Sequence, residues 1–394
     1  MHPLLASLAA GLDERSAAGR ARRRPLVASR SDGATRVVVD GESRIAFCSN
    51  DYLGLADHPA VVEACIDALR RWGVGSGASH LVSGHSAEHH ALEQELAALT
   101  GRPRAVLFST GYMANLAVVR ALAGRGDLVL EDRLNHASLI DAGLASGARF
   151  RRYPHADVAA VEARLAASAA PRKLVVTDGV FSMDGDVAPL AALAAGCARH
   201  GAVLHVDDAH GFGVLGPRGL GSVEAAGLGP DAVPSLMCTF GKALGTFGAF
   251  VAGPEALVES LVQTAREHVY TTAVPPALAA ATRAALAVAR DEPWRRERVL
   301  RLAAEFRAGA SALGLRLAAS RTPIQPVIVG DERAALAASA ALGEAGFFVP
   351  AIRPPTVPAG SSRLRFTFSA AHSDLDLERL LAALSALARR GLFE

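Results

Sequence analysis

The stretch Leu174–Gly213, LVVTDGVFSMDGDVAPLAALAAGCARHGAVLHVDDAHGFG, holds two short β-rich runs around one alanine-rich segment. LVVT (174–177) and VLHVD (203–207) have the length and β-branched content of buried strands. Ala188–His200, between them, has the length and composition of a helix. Two strands joined by a helical crossover lie parallel in one sheet, and here each ends in a polar loop. The alternation continues outward through AVLFS (105–109), LVLE (128–131), LMCT (236–239) and GAFVAG (248–253), with helices at Gly111–Ala123 and Asp157–Ala169. The expected fold class is α/β, a mostly parallel sheet covered by helices on both faces.

A second unit follows. PVIVG (326–330), a helix at 332–345, FFVPAI (347–352), RLRFTFS (363–369) and a last helix near Asp374–Arg390 make a small α+β domain. The N-terminal segment, with its strand TRVVVDG (35–41), is expected to pack on it. The divisions are an N-terminal segment 1–45, a large domain 46–285 and a small domain 286–394.

Half of the 394 residues are hydrophobic and the net charge is +2, which suits a globular protein and gives no footprint for nucleic acid. Cys48, Cys65, Cys197 and Cys238 are scattered and form no CxxC pair, as in a reduced cytoplasmic protein. The N-terminus reads as an amphipathic helix rather than a signal peptide, and no apolar run reaches bilayer-spanning length.

Of 41 cationic side chains only Lys173 and Lys242 are lysines, leaving 39 arginines. Lys242 sits alone in SLMCTFGKALGTFGAF (235–250). A lysine can lose its proton and act as base or imine-forming nucleophile, which arginine cannot. Other polar groups follow the neighbouring strands. Thr110-Gly111-Tyr112 opens a helix whose N–H groups suit a phosphate. Asp207, leaving an apolar strand, is costly to bury unless it meets a cation. His136 is open to reading as a ring-stacking partner, a base or a packed histidine. Ligands bind beyond the carboxyl ends of parallel strands, where these groups fall. Phosphate cup, acid and lysine together meet the demands of pyridoxal phosphate.

Three other motifs fail their context tests. GFGVLG (211–216) matches GxGxxG, but Pro217 follows and no helix opens. TFGK departs from a P-loop at Leu236 and Ala243. HSAEH (85–89) matches the zinc-peptidase pattern HxxEH without a third ligand in view, so no metal is expected, and His85 and His89 are read as cap and helix-surface residues.

Eight ordered blocks resemble the α-oxoamine synthases of the fold-type I pyridoxal-phosphate enzymes. They are FCSNDYLGLADHP, GSGASHLVSGHSAEHHALE, STGYMAN, DRLNHASLIDA, DGVFSMDGDVAPL, VDDAHGFGVLGPRG, TFGKALG and AIRPPTVPAGSSRLRFTFSAAH. The resemblance implies a seven-stranded large domain and a homodimer with shared active sites. It implies that Lys242 forms the imine with the cofactor and then moves protons, and that Asp207 pairs with the pyridinium nitrogen. His210 and Ser182 would contact the ring hydroxyl region, and His136 would stack on the ring. Gly111, Tyr112 and Thr239 would hold the phosphate, with Thr272 reaching the cofactor of a partner subunit. Asn50 and Arg365 suit the amino-acid carboxylate, while Arg22, Arg353 and Thr356 would line the acyl-substrate entrance.

Within the family, AIRPPTVPAG and the N-terminal RRRP look most like the member that joins L-alanine to a pimeloyl thioester, carried on CoA or acyl carrier protein, in biotin synthesis. The alternatives are glycine C-acetyltransferase, 5-aminolevulinate synthase, serine palmitoyltransferase and a catalytically silent scaffold. Ala78, His80, His85 and Phe212 depart from the family pattern near the acyl channel and leave the acyl chain and carrier open.

Overall fold

The computed structural model describes residues 2–393. They form two compact units, the larger comprising 50–182 and 186–299, the smaller comprising the chain up to Ser49, 183–185 and everything from Leu300 on. After an N-terminal helix (Pro3–Ala17) the smaller unit supplies β1 (Val27–Ser31), β2 (Arg36–Val39) and β3 (Glu42–Ala46). The larger unit then supplies β4 (Arg104–Phe108), β5 (Leu128–Asp132), β6 (Arg149–Tyr153), β7 (Lys173–Asp178), β8 (Val203–Asp207), β9 (Ser235–Thr239) and β10 (Ala249–Gly253). The smaller unit closes with β11 (Ile324–Gly330), β12 (Phe347–Phe348), β13 (Ala351–Ile352) and β14 (Ser362–Thr367).

The larger unit is built on a seven-stranded sheet in the order β4-β10-β9-β8-β7-β5-β6. β10 runs antiparallel to both neighbours, and β9 through β6 are mutually parallel. Val106, Phe108, Val118 and Val251 pack one apolar cluster against the sheet, and Val129, Leu139, Leu174 and Val176 another. Six of these strands carry the apolar signature quoted above. β6 does not, because RFRRY is an edge strand pairing only with β5, and its arginines face solvent.

Unit boundaries fall at 49/50 and 299/300, rather than at 45/46 and 285/286. The helix Pro276–Asp291 buries Ala277, Ala281, Ala285 and Ala289, and it packs on helices Pro59–Trp72 and Ala87–Thr100 of the larger unit. The alanine face leaves no room for a domain break there. Met183–Gly185 joins the smaller unit because the Ser320 and Thr322 hydroxyls donate to the Gly185 carbonyl at 2.9 and 3.0 Å. The expected strand 347–352 is two short strands: β12 pairs in parallel with β3, β13 pairs antiparallel with β14, and Pro350, which has no N–H to give a ladder, lies between them. The N-terminal helix Pro3–Ala17 buries none of its residues.

One ion cluster pins the loop after β6. His155 Nδ1 lies 3.0 Å from Asp132 Oδ1 and Nε2 lies 2.8 Å from Asp186 Oδ2. Burial alone would lower its pKa, but the hydrogen bonds its ring donates to both carboxylates outweigh it and raise the pKa to about 10. A raised folded-state value stabilises fully below the free-histidine pKa of about 6.5 and is lost as pH climbs through about 10. His155→Gln should therefore cost about 1–2 kcal/mol at pH 6, after discounting for its partial exposure. Denaturant titrations at several pH values should show that difference shrinking between pH 6.5 and 10. A constant difference would mean that the charge contributes nothing.

Candidate active site

The carboxyl ends of β5, β7, β8 and β9, together with the end of β4 that meets the helix Gly111–Leu122, converge on one cavity of about 170 Å³ in the larger unit. Gly111, Tyr112, His136, Ser182, Asp207, His210, Thr239 and Lys242 line it, with Ser138, Asp178, Ala209 and Met237 completing the wall.

Local sequence explains each placement. Thr110 caps the helix Gly111–Leu122 by accepting the Met113 N–H at 3.2 Å, so the helix begins at the cavity wall with its first N–H groups there. A Cβ on Gly111 would stand 3.3 Å from the end of the Met237 side chain, so the helix start lies close against Met237. Tyr112 donates its hydroxyl to the Asp141 carboxylate.

His136 caps the helix Ala137–Ala145: its Nδ1 accepts the Ser138 N–H at 3.2 Å. Its own backbone N–H donates to Asp178 Oδ2 at 2.8 Å. Burial lowers the His136 pKa, Lys242 lowers it further and Asp207 opposes, so the imidazole is neutral. A neutral ring can lie over an aromatic cofactor without bringing a second cation beside Lys242. Burial, then the neighbouring Asp207, pushes the Asp178 carboxyl well up.

Asp207 is the anchor of a buried chain of hydrogen bonds. Its Oδ2 accepts from Asn115 Nδ2 at 2.7 Å and its Oδ1 from the Ala209 N–H at 3.0 Å. Asn115 Nδ2 also donates to Ser138 Oγ at 2.8 Å, leaving Asn115 Oδ1 to accept from His205 Nε2 at 3.3 Å. His205 Nδ1 then faces the Ser235 hydroxyl at 2.8 Å. Burial lowers the His205 pKa to about 4, so this ring is neutral and one tautomer satisfies both neighbours. Asp207 is thereby fixed in position with its carboxylate open to the cavity. Asn115, Ser138, Asp178 and His205 were missed as site residues. The signal was available: Asn115 lies one helical turn from Gly111, and His205 shares a strand face with Asp207.

Lys242 stands on the turn between β9 and β10. The Thr239 hydroxyl donates to the Gly248 carbonyl at 2.8 Å, and the Gly245 N–H donates to the Lys242 carbonyl at 2.9 Å. Gly245 has φ +66°, and a Cβ there would run into the Ala56 backbone, so only glycine closes this turn.

The remaining candidates lie elsewhere. In the larger unit, the Tyr52 hydroxyl links Asn50 Oδ1 at 3.2 Å to His210 Nδ1 at 2.7 Å. Thr272 is exposed outside the cavity, and its backbone bridges Ser79. Arg365 belongs to β14 of the smaller unit and is 7% exposed. In that unit Arg22, Arg353 and Thr356 come together: Arg22 Nη2 donates to Thr356 Oγ1 at 3.0 Å, and Arg353 donates to the Gly19 and Ala21 carbonyls. They line an open groove of about 580 Å³ with Arg20 and Arg23.

The peptidase pattern does not hold. His85 precedes the helix Ala87–Thr100 rather than sharing its face with His89, and Glu88 is tied to Arg283 at 2.8 Å. His89 is fully buried, not a surface residue, because its ring serves the helix capping box.

A helix N-terminus, a carboxylate braced to face a cation, a neutral imidazole and the one lysine on this rim fit the phosphate, ring nitrogen, ring face and aldehyde of pyridoxal phosphate. Fold and cavity together define a fold-type I pyridoxal-phosphate-dependent transferase.

Comparison with known proteins agrees. The family model for aminotransferase class I and II matches residues 42–384. The 8-amino-7-oxononanoate synthase of Methylococcus capsulatus is 63% identical over 96% of this chain and 97% of its own length. That of Cellvibrio japonicus is 59% identical over 98% of both. Among solved structures, a serine palmitoyltransferase from S. paucimobilis with bound PLP superposes with a TM-score of 0.92 at 32% identity, over 98% of this chain and 97% of that one. An 8-amino-7-oxononanoate synthase from Francisella tularensis gives 0.77 at 29% identity, over 88% and 98%. The chain belongs to the aminotransferase class I and II family and, within it, to the 8-amino-7-oxononanoate synthases.

Proposed function

We propose that this protein condenses L-alanine with a pimeloyl thioester, releasing CO2 and the free thiol carrier and forming 8-amino-7-oxononanoate for biotin synthesis. The observation that carries the reading is the convergence of Lys242, Asp207, His136 and the helix start at Gly111 on one cavity, in a chain about 60% identical to synthases of that name.

When bound, pyridoxal phosphate supplies the electron sink that makes the alanine α-hydrogen acidic. The helix start at Gly111, with Tyr112 and Thr239, would hold the phosphate end. Asp207, braced by Asn115, would keep the ring nitrogen protonated. His136 would lie against the ring, and His210 and Ser182 would meet its hydroxyl. Lys242 Nζ takes the proton from the alanine Cα. That carbon bonds to the thioester carbonyl carbon, and the C–S bond breaks to release the thiolate. Loss of CO2 from the resulting β-keto acid leaves the same carbon to be reprotonated by Lys242.

Asn50, in the larger unit, is the proposed partner of the alanine carboxylate. The arginine groove at Arg22 and Arg353, with Thr356, suits the anionic CoA or carrier protein. Arg353→Ala should raise KM for pimeloyl-CoA about tenfold, equivalent to about 1.4 kcal/mol, with kcat little changed. Steady-state kinetics would show it; a fall in kcat at constant KM would place Arg353 elsewhere in the reaction. We further propose a homodimer in which Thr272 reaches the partner's phosphate. No helix among the described residues is long and apolar enough to cross a membrane; a cytoplasmic location is inferred from the four unbridged cysteines.

The test is product analysis with purified protein, pyridoxal phosphate, L-alanine and pimeloyl-CoA. Condensation with glycine and acetyl-CoA instead would reassign the substrates to a glycine C-acetyltransferase.

A further inference from the structure

Away from the cavity, the larger unit gathers His80, His85 and His89 so that one ligand atom from each lies within 4.8 Å of the others. We propose that these three histidines form a binding site for one divalent d-block cation of the zinc class, with Glu93 as the adjoining carboxylate.

The backbone prepares the cluster. His80 begins a wide π-type turn, His80–Gly84, that leads directly into His85 and the helix Ala87–Thr100. A Cβ on Gly84 would collide with the Ala78 carbonyl, so the turn closes only with glycine there. His80 Nδ1 and His85 Nδ1 face each other at 3.0 Å, one proton shared between two lone pairs. The stacked His268 ring, 4.8 Å from His80, holds that imidazole from behind.

His89 has the arrangement of an oriented ligand. Its Nε2–H donates to the Val274 carbonyl at 2.6 Å, which fixes the tautomer and leaves the lone pair on Nδ1. The Ser86 N–H now donates to that lone pair at 3.0 Å, and a cation would take its place. Glu93 Oε2 lies 3.9 Å from His85 Nε2, on the far side of that ring from Nδ1, where it stands as an outer partner of the imidazole rather than as a ligand. Tetrahedral zinc at about 2.0–2.1 Å from nitrogen sets ligand atoms about 3.4 Å apart, between the 3.0 Å of His80 Nδ1 and His85 Nδ1 and the 4.8 Å that bounds the whole cluster. Imidazole selects zinc, copper and nickel over magnesium or calcium. Glu88, the acid of the peptidase pattern, is held by Arg283, so the role proposed for the cation is to tie the turn to the helix rather than to cleave a bond.

The test uses the pyridoxal-phosphate-loaded protein, stripped of metal by a chelator and dialysed against micromolar Zn2+. One zinc per chain is expected. His80→Gln and His85→Asn should each weaken binding at least about tenfold, as expected for loss of a ligand, while His200→Gln, remote from the cluster, should not. Unchanged melting temperature and visible cofactor absorbance in each variant would show that the fold and the cofactor pocket persist. Wild-type protein that retains no zinc, or variants that bind it as tightly, would overturn the proposal. Co2+ offers a readout on wild type alone: an intense tetrahedral d–d spectrum supports the site, and the pale six-coordinate spectrum refutes it.

Discussion

Lys242→Ala is expected to leave a folded protein that has lost its visible cofactor absorbance and at least about 10³-fold of its kcat. Acid–base transfer by one positioned side chain contributes about 10²–10⁴-fold, and in the proposed reaction the same nitrogen takes and returns the proton. No neighbour can substitute. The only other lysine, Lys173, starts β7 at the opposite end of the strand from the cavity, its Nζ 3.4 Å from the His200 carbonyl. Lys242→Arg should be nearly as inactive, because guanidinium keeps its proton at any working pH. That second variant separates chemistry from charge: an active arginine variant would mean that Lys242 serves only as a cation. Absorbance spectra and single-turnover rates on both proteins are the measurements.

The second large effect is at Asp207. Asp207→Asn keeps the volume and an oxygen acceptor for Asn115 or the Ala209 N–H but removes the charge proposed to hold the ring nitrogen protonated. Exchange of the alanine α-hydrogen in D2O, followed by NMR, should slow by about 10²–10³-fold, the scale of losing one preorganised electrostatic contact. Asp207→Ala should add a stability cost of about 1–3 kcal/mol, since Asn115 Nδ2 and the Ala209 N–H would lose a buried acceptor. Wild-type exchange in Asp207→Asn would show that the ring nitrogen is held by another group.

Much of this arrangement is legible in the sequence itself. Parallel strands buried on both faces read as short apolar runs, and a polar residue at the end of such a run has only the rim to occupy. Asp207 and Lys242 stand out for that reason. What the sequence conceals is whatever depends on pairing at a distance. Asn115 looks like one more helix residue until Asp207 and His205 are placed against it. β6 hides because an edge strand can be written in arginine. The boundary near 299 hides because an alanine-rich helix gives the same pattern whether it belongs to one unit or the next. His85 and His89 match a short motif by spacing, yet His80, outside that motif, completes the cluster through the π-type turn.

The most direct measurement supplies the loaded protein with pimeloyl-CoA and, separately, L-alanine, glycine or L-serine, and identifies the products by mass spectrometry. The prediction is 8-amino-7-oxononanoate from L-alanine, with CO2 and free CoA released in equal amount and no product from Lys242→Ala. Turnover only with glycine or L-serine, or none with alanine in protein that shows the cofactor absorbance, would contradict it.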